Sequence, residues 1–253
     1  MADQLNGKVA IITGGGRGIG KVIASAYAAI GAKVIITAAA HKNEIEKTAS
    51  QINAMAVLAD ITKESDVNNL VDTVLNKFGR IDILVNNAAR GMLFVNEKFM
   101  TEPIPFWESD PDSWQMVINT NVNGTYLMTR AVIPQMLKQK YGRIINISIN
   151  LETMKRKGFS PYGPSKAALE SMSTIWAQEL EGTGVTLNVL LPGGATLTGM
   201  IPPSFPEDKM KNILKPEVIA PAAVYLASDE ASKLNGQRIV AADWNREHGI
   251  ISY

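Results

Sequence analysis

The chain contains no cysteine, so it forms no disulfide, carries no thiolate nucleophile and offers no sulfur ligand to a metal. It has only two histidines, and a protein-held metal ion is therefore not expected. Charge is sparse and balanced: 25 basic against 24 acidic residues leave a formal net charge of +1, with no basic tail or acidic block. That balance removes the electrostatic case for nucleic acid or an anionic membrane as the main partner. No apolar run approaches the roughly 20 residues a spanning helix needs, and even 26–40 is broken by Lys33. The first residues lead into Val9-Ala10-Ile11-Ile12 without the basic flank and apolar stretch of a signal peptide, so a cytoplasmic location is expected.

What is abundant is apolar sequence in short pieces. Of 253 residues, 46% are hydrophobic, enough for one large core. β-Branched runs at 9–12, 34–37, 56–59, 83–85, 143–148, 186–190 and 238–241 read as strands. Between them, 18–30, 42–52, 65–78, 113–137, 162–180 and 216–227 read as amphipathic helices. Buried strands alternating with helices predict an α/β fold, a doubly wound seven-stranded parallel sheet, as a single domain over residues 1–253. Its ligand crevice should lie at the carboxyl ends of the strands.

Two motifs carry chemistry. Thr13-Gly14-Gly15-Gly16-Arg17-Gly18-Ile19-Gly20 follows the first strand and opens the first helix. Missing side chains there let backbone N–H groups and the helix dipole approach a pyrophosphate, which predicts dinucleotide binding. Farther on, Tyr162 and Lys166 stand four residues apart at the start of a helix, on one face. A fixed cation beside a phenol favours the phenolate. Bringing a tyrosine into use near neutrality asks for about 4 kcal/mol of such differential interaction.

In these motifs, T-G-x-x-x-G-x-G and Y-x-x-x-K followed by Ala167-Ala168-Leu169, the chain resembles the short-chain dehydrogenase/reductase family over nearly its whole length. The likeness runs in particular to 3-oxoacyl-ACP reductase and glucose dehydrogenase-like members. It implies a Rossmann-like fold and an NAD(P)-dependent oxidoreductase moving a hydride between nicotinamide and a secondary alcohol or ketone. Tyr162 would be the general acid/base, Lys166 the holder of the nicotinamide ribose, and Asn121 the holder of a relay water within an interrupted helix. Cofactor contacts would come from Gly14, Gly16, Arg17, Gly18, Ile19 and Gly20 in the turn, and from Tyr162 and Lys166. Asp60-Ile61 would meet the adenine, although Asp60 alone also reads as a helix cap before Thr62-Lys63-Glu64. Asn87 and Ala88 belong to Asn86-Asn87-Ala88-Ala89, where Ala89 replaces a usual glycine; one methyl is tolerable unless that backbone needs positive φ. Pro192, Gly193 and Thr198 would cover the carboxamide, with Thr196 as the other register.

Ala38 stands where an acid would select NAD(H), and Arg17 with His41 or Lys42 could meet a 2′-phosphate. NADP(H) is therefore favoured, with NAD(H) the alternative. The family's active-site serine is missing: in Asn146-Ile147-Ser148-Ile149-Asn150, its place is held by Ile149, and Ser148 faces the wrong side of a strand unless a bulge turns it. Asn150 or Thr153 could replace the lost donor. The alternative reading is a nucleotide-binding protein of low or lost activity, a sensor or scaffold. Phe94, Phe99, Phe106 and Trp107 on a long loop, and a proline-stiffened lid after Thr198, predict a small, apolar substrate. Relatives pair the helices holding Tyr126, Met128, Met172 and Trp176, which implies a homodimer or homotetramer.

Overall fold

The computed structural model describes residues 4–250. Seven strands, β1 Val9–Thr13, β2 Lys33–Ala38, β3 Met55–Leu58, β4 Ile83–Asn86, β5 Gly142–Ile147, β6 Val185–Leu191 and β7 Arg238–Val240, form one sheet in the order β3-β2-β1-β4-β5-β6-β7. Every pairing is parallel, as the strand-helix alternation predicted. The helices are α1 Gly18–Ala29, α2 Lys42–Gln51, α3 Glu64–Phe78, α4 Pro111–Ile118, α5 Thr125–Gln139, α6 Leu151–Met154, α7 Tyr162–Glu179, α8 Glu207–Met210, α9 Ala220–Ala227 and α10 Ala241–Glu247.

Each central strand is buried along its length because both faces of the sheet are covered. Ala10, Ile12, Ile36, Val85 and Ile145 pack with Ile23 and Tyr27 of α1 and Leu226 of α9. Ile11, Ile35, Leu84 and Ile144 alternate with them and meet Leu70 and Val74 of α3 and Val132 and Met136 of α5. A smaller cluster of Met92, Phe99 and Phe159, with Tyr162 against it, caps the carboxyl end of the sheet.

One predicted helix breaks at Asn121, as the family resemblance implied, and one is corrected. The stretch 113–137 is interrupted: α4 passes into a π-helical segment, Asn119–Gly124, before α5 begins. The stretch 216–227 starts as the 3-10 turn Pro216–Ile219 and becomes α-helical only at Ala220. The sequence also gave no sign of α10, which follows β7 directly.

Strand order reverses between β2 on one side of β1 and β4 on the other, which opens a crevice above β1. Thr13 closes its floor. Its Oγ1 accepts from the N–H groups of Asn87 and Ala88, both at 3.0 Å, and donates to Val85 O at 3.3 Å.

Candidate active site

The crevice begins at the glycine turn. Gly20 sits so close beneath Gly14 O that a Cβ would collide with it, and with Asn87 Nδ2 at 2.5 Å. Gly18 has φ +53° and faces Thr198, whose Cγ2 would lie 3.3 Å from an added Cβ. The chain thus keeps a bare backbone where α1 points its N-terminus into the crevice, a cradle suited to a pyrophosphate. Asn87 stiffens the turn by donating from Nδ2 to Thr13 O at 2.9 Å and Gly14 O at 3.1 Å. Ala89 is absent from the positive-φ residues, so its extra methyl brings no backbone strain.

Of the two candidate threonines, Thr198 lies over the glycine turn, whereas Thr196 is buried and donates its hydroxyl to Gly194 O at 3.1 Å. Asp60 folds into a local turn: its Oδ1 accepts from Thr62 N at 3.0 Å and Thr62 Oγ1 at 2.8 Å. Arg17, at the N-cap of α1, extends to Glu44 Oε2 at 3.7 Å, with both side chains substantially exposed. Lys42 reaches Glu46 at 3.8 Å, and His41 takes up a left-handed conformation at φ 61°. Glu44 is the residue the sequence reading missed here, an acid from α2 held beside the turn and its arginine.

Asn121 is wholly buried in the π-helical segment. Its Nδ2 donates to Arg90 O at 3.0 Å and Ser165 Oγ at 2.9 Å, while its Oδ1 accepts from Arg90 N at 2.8 Å. Both amide protons are therefore spent on protein partners. The side chain ties the loop after β4 to the first turn of α7, where Ser165 in turn donates to Tyr162 O at 2.7 Å.

Tyr162 opens α7 and Lys166 follows one turn later; both border one cavity of about 470 Å³. Lys166 Nζ donates to Ile147 O at 2.7 Å, so the end of β5 fixes the ammonium. Burial lowers its pKa from 10.5 to about 8 against the opposing pull of the Glu170 carboxylate. Tyr162 departs from the sequence-based expectation. Burial pushes its pKa up to about 12, so desolvation of the phenolate outweighs any help from the neighbouring cation and the phenol stays protonated at neutral pH.

Ile149 borders the cavity, as its replacement of serine implied. Ser148 Oγ is committed to Glu170 Oε1 at 2.6 Å; Glu170 also receives Arg238 Nε at 2.9 Å, and Arg238 donates to Ile149 O at 2.9 Å. Ser148 nonetheless borders the cavity beside Ile149, contrary to the expectation that it faces away, but its hydroxyl is taken up by this network, which also holds the Ile149 carbonyl. Asn150 Nδ2 donates to Gly193 O at 3.0 Å, whereas Thr153 borders the cavity and its hydroxyl has no hydrogen-bond partner among the described residues.

Of the four loop aromatics only Phe99 reaches the cavity, edge-on to Phe159 at 5.4 Å between ring centres. Phe106 and Trp107 are exposed and pack on each other, and Phe94 lies beneath the Arg90 guanidinium at 4.6 Å. The lid contributes Met200, Ile201, Pro202 and Phe205, so the roof is apolar from both sides. Among the described residues no helix is long and apolar enough to cross a membrane, and no group of three or more His, Asp or Glu side chains could hold a metal ion.

Comparison with known proteins agrees with this architecture. The family model for short chain dehydrogenase matches residues 8–209. The chain is 33% identical over 251 residues to 3-oxoacyl-(acyl-carrier-protein) reductase FabG of Thermotoga maritima, spanning 93% of this chain and 96% of that protein. It is 34% identical to 3-oxoacyl-(acyl-carrier-protein) reductase of Synechocystis, spanning 98% and 99%. The solved structure of 3-ketoacyl-(acyl-carrier-protein) reductase from Brucella melitensis, complexed with NADH, superposes with a TM-score of 0.83 at 34% identity over 93% of this chain and 97% of that one. A short chain dehydrogenase from Shigella flexneri complexed with NADP gives a TM-score of 0.84 at 26% identity, over 95% and 99%.

Proposed function

Since this chain belongs to the short chain dehydrogenase family of NAD(P)-dependent oxidoreductases acting on CH–OH and keto groups, we propose that it interconverts a small secondary alcohol and its ketone with Tyr162 as general acid/base. The observation that carries this reading is that Tyr162 and Lys166 border one cavity with Ile19, Asn87 and Thr198 of the nucleotide cradle. When bound, a nicotinamide supplies or accepts the hydride. Gly14, Gly16, Gly18, Ile19 and Gly20 would hold its pyrophosphate, Asp60 and Ile61 the adenine, and Asn87, Ala88, Pro192, Gly193 and Thr198 the nicotinamide end.

In reduction, Tyr162 gives its proton to the substrate oxygen as the carbonyl carbon is reduced. Its raised pKa keeps that proton available throughout the neutral range. Lys166, anchored on Ile147 O and cationic below about pH 8, stabilises the phenolate left behind. Asn121 acts mainly by position, since both amide protons are used in holding Arg90 and Ser165 and its main-chain oxygen already accepts from Thr125 Oγ1 at 3.0 Å. The donor lost with Ile149 is supplied by Thr153, whose hydroxyl is unpaired at the cavity wall, with Asn150 the alternative. A single oxyanion donor is worth roughly 10²–10³ in turnover, so Thr153→Ala should lose at least tenfold and Asn150→Ala little.

NADP(H) is favoured because β2 ends on Ala38 rather than an acid and Arg17 flanks the turn; Glu44 opposes this, and NAD(H) remains the other candidate. Exposed Tyr126 on α5 and Ile175 on α7 support a homodimer or homotetramer built on those helices, which light scattering would test.

The test of the main reading is oxidation of NADPH and NADH across a ketone panel, with Tyr162→Phe as control. Turnover abolished in that variant, with coenzyme still bound, is expected. The commitment of the Ser148 hydroxyl to Glu170, with Ile149 at the cavity, favours one second reading, a coenzyme-binding protein of low or lost activity. Tight NADPH binding without turnover of any ketone would establish it.

A further inference from the structure

Only two cationic side chains border the cavity, Lys166 and Arg156, and among its lining residues there is no carboxylate. Lys166 donates to Ile147 O and is assigned above to the Tyr162 phenolate. Arg156 is not: among the described residues no acid lies within 4 Å of its guanidinium, and no acceptor receives a hydrogen bond from it. Asn150, Thr153 and Arg156 follow one another at three-residue spacing along α6 and its exit, and all three border the same wall.

Although Arg156 is exposed, its guanidinium packs over an aromatic ring at the cavity. It lies 5.4 Å from the centre of the Phe159 ring, which is itself fixed edge-on by buried Phe99. The other distal walls, Met92, Met100, Pro202 and Phe205, are apolar. Water solvates the exposed guanidinium when the cavity is empty, but a neutral, wholly apolar substrate would make no use of the one cation at this wall that has no protein partner among the described residues. A planar, two-oxygen anion matches the guanidinium fork.

We infer that the substrate of this site is a keto acid, or the corresponding hydroxy acid, whose carbonyl is presented to Tyr162 while its carboxylate pairs with Arg156 across an apolar body. The inference rests on the alcohol/ketone reading above and narrows it. It replaces a purely apolar substrate by one with a single charged end, and makes Arg156 the residue that selects for that end.

The experiment compares keto acids of graded length with their methyl esters, using wild-type protein, Arg156→Met and Arg156→Lys. Retained NADPH binding by fluorescence and an unchanged melting temperature show that each variant is folded. In wild type the acid is preferred over its ester by about tenfold in kcat/KM, the range of a charge-assisted pair at a partly open site. In Arg156→Met the ratio falls to about one, and Arg156→Lys keeps part of it. If wild type reduces esters as well as acids, the inference is overturned while ketone reduction stands. If nothing in the panel is turned over, calorimetric binding with NADP present decides: acid binding lost in Arg156→Met supports the assignment. Equal binding of acid and ester, or no binding of any acid, overturns it.

Discussion

Ser148 Oγ and Glu170 Oε1 are joined at 2.6 Å, so the one hydroxyl that the chain keeps at the end of β5 is bound to a carboxylate rather than offered to a substrate oxygen. Substituting it should therefore disturb the backbone more than the chemistry. Ser148→Ala is expected to lower stability by about 1 kcal/mol, with kcat falling far less than the hundredfold loss of an oxyanion donor. Ile149→Ser, by contrast, puts a hydroxyl on the cavity wall and should raise kcat by roughly tenfold or more. Steady-state kinetics and urea denaturation of the two variants check both halves.

The pH profile should report the lysine rather than the tyrosine. Reduction needs a protonated phenol, and Tyr162 keeps its proton up to about pH 12; Lys166 loses its charge near pH 8. For reduction, kcat/KM is expected to be flat across the neutral range and to fall above about pH 8. A flat profile carried past pH 9 would contradict the role given to the ammonium.

Lys166 also leaves a mark on stability. Its pKa is 10.5 as an ordinary side chain and about 8 when folded, so between those values the unfolded chain binds more protons and this group's contribution rises with pH. Below about pH 8 the buried charge costs of order 3 kcal/mol in full. Lys166→Met removes the titration, so the gain in stability of the variant over wild type should be largest at pH 7 and shrink towards pH 10.5. Denaturant midpoints at several pH values measure it.

Coenzyme choice should respond to a residue outside the glycine turn. Glu44 holds Arg17 at 3.7 Å and would face any 2′-phosphate brought to that arginine. Glu44→Gln frees the guanidinium and removes a like charge, and should raise the NADPH:NADH ratio of kcat/KM by roughly fivefold, the upper end for an exposed pair. Arg17→Gln should lower it.

The seven strands were legible because central strands of a covered parallel sheet are apolar on both faces at most positions, and β1, β4, β5 and β6 are buried end to end. The glycine turn and the Tyr162 and Lys166 pair were legible because each is local in sequence. What depends on distant partners was not. Spacing places an amine near Tyr162 but says nothing of burial, which turned out to govern the phenol. Glu44 meets Arg17 across 27 positions, and Ser148 meets Glu170 across 22, with no pattern in the intervening residues to announce either contact. Of four loop aromatics the sequence had no means of singling out Phe99, because its partner Phe159 lies 60 residues on.

The wide turn at Asn119–Gly124 carries one residue more per hydrogen-bonded loop than its neighbours, and the phase of everything after it is reset. Counting an undisturbed helix forward from buried Val117 would turn Ala131 and Gln135 towards the sheet. Val132 and Met136 are buried there instead, each one position later. The same added residue that offers Asn121 to the loop after β4 thus chooses which stripe of α5 becomes core. Deleting one residue inside that turn would bring Val132 and Met136 onto the positions an undisturbed helix turns to the sheet, so the core stripe of α5 would survive while the hold of Asn121 on the loop after β4 is lost.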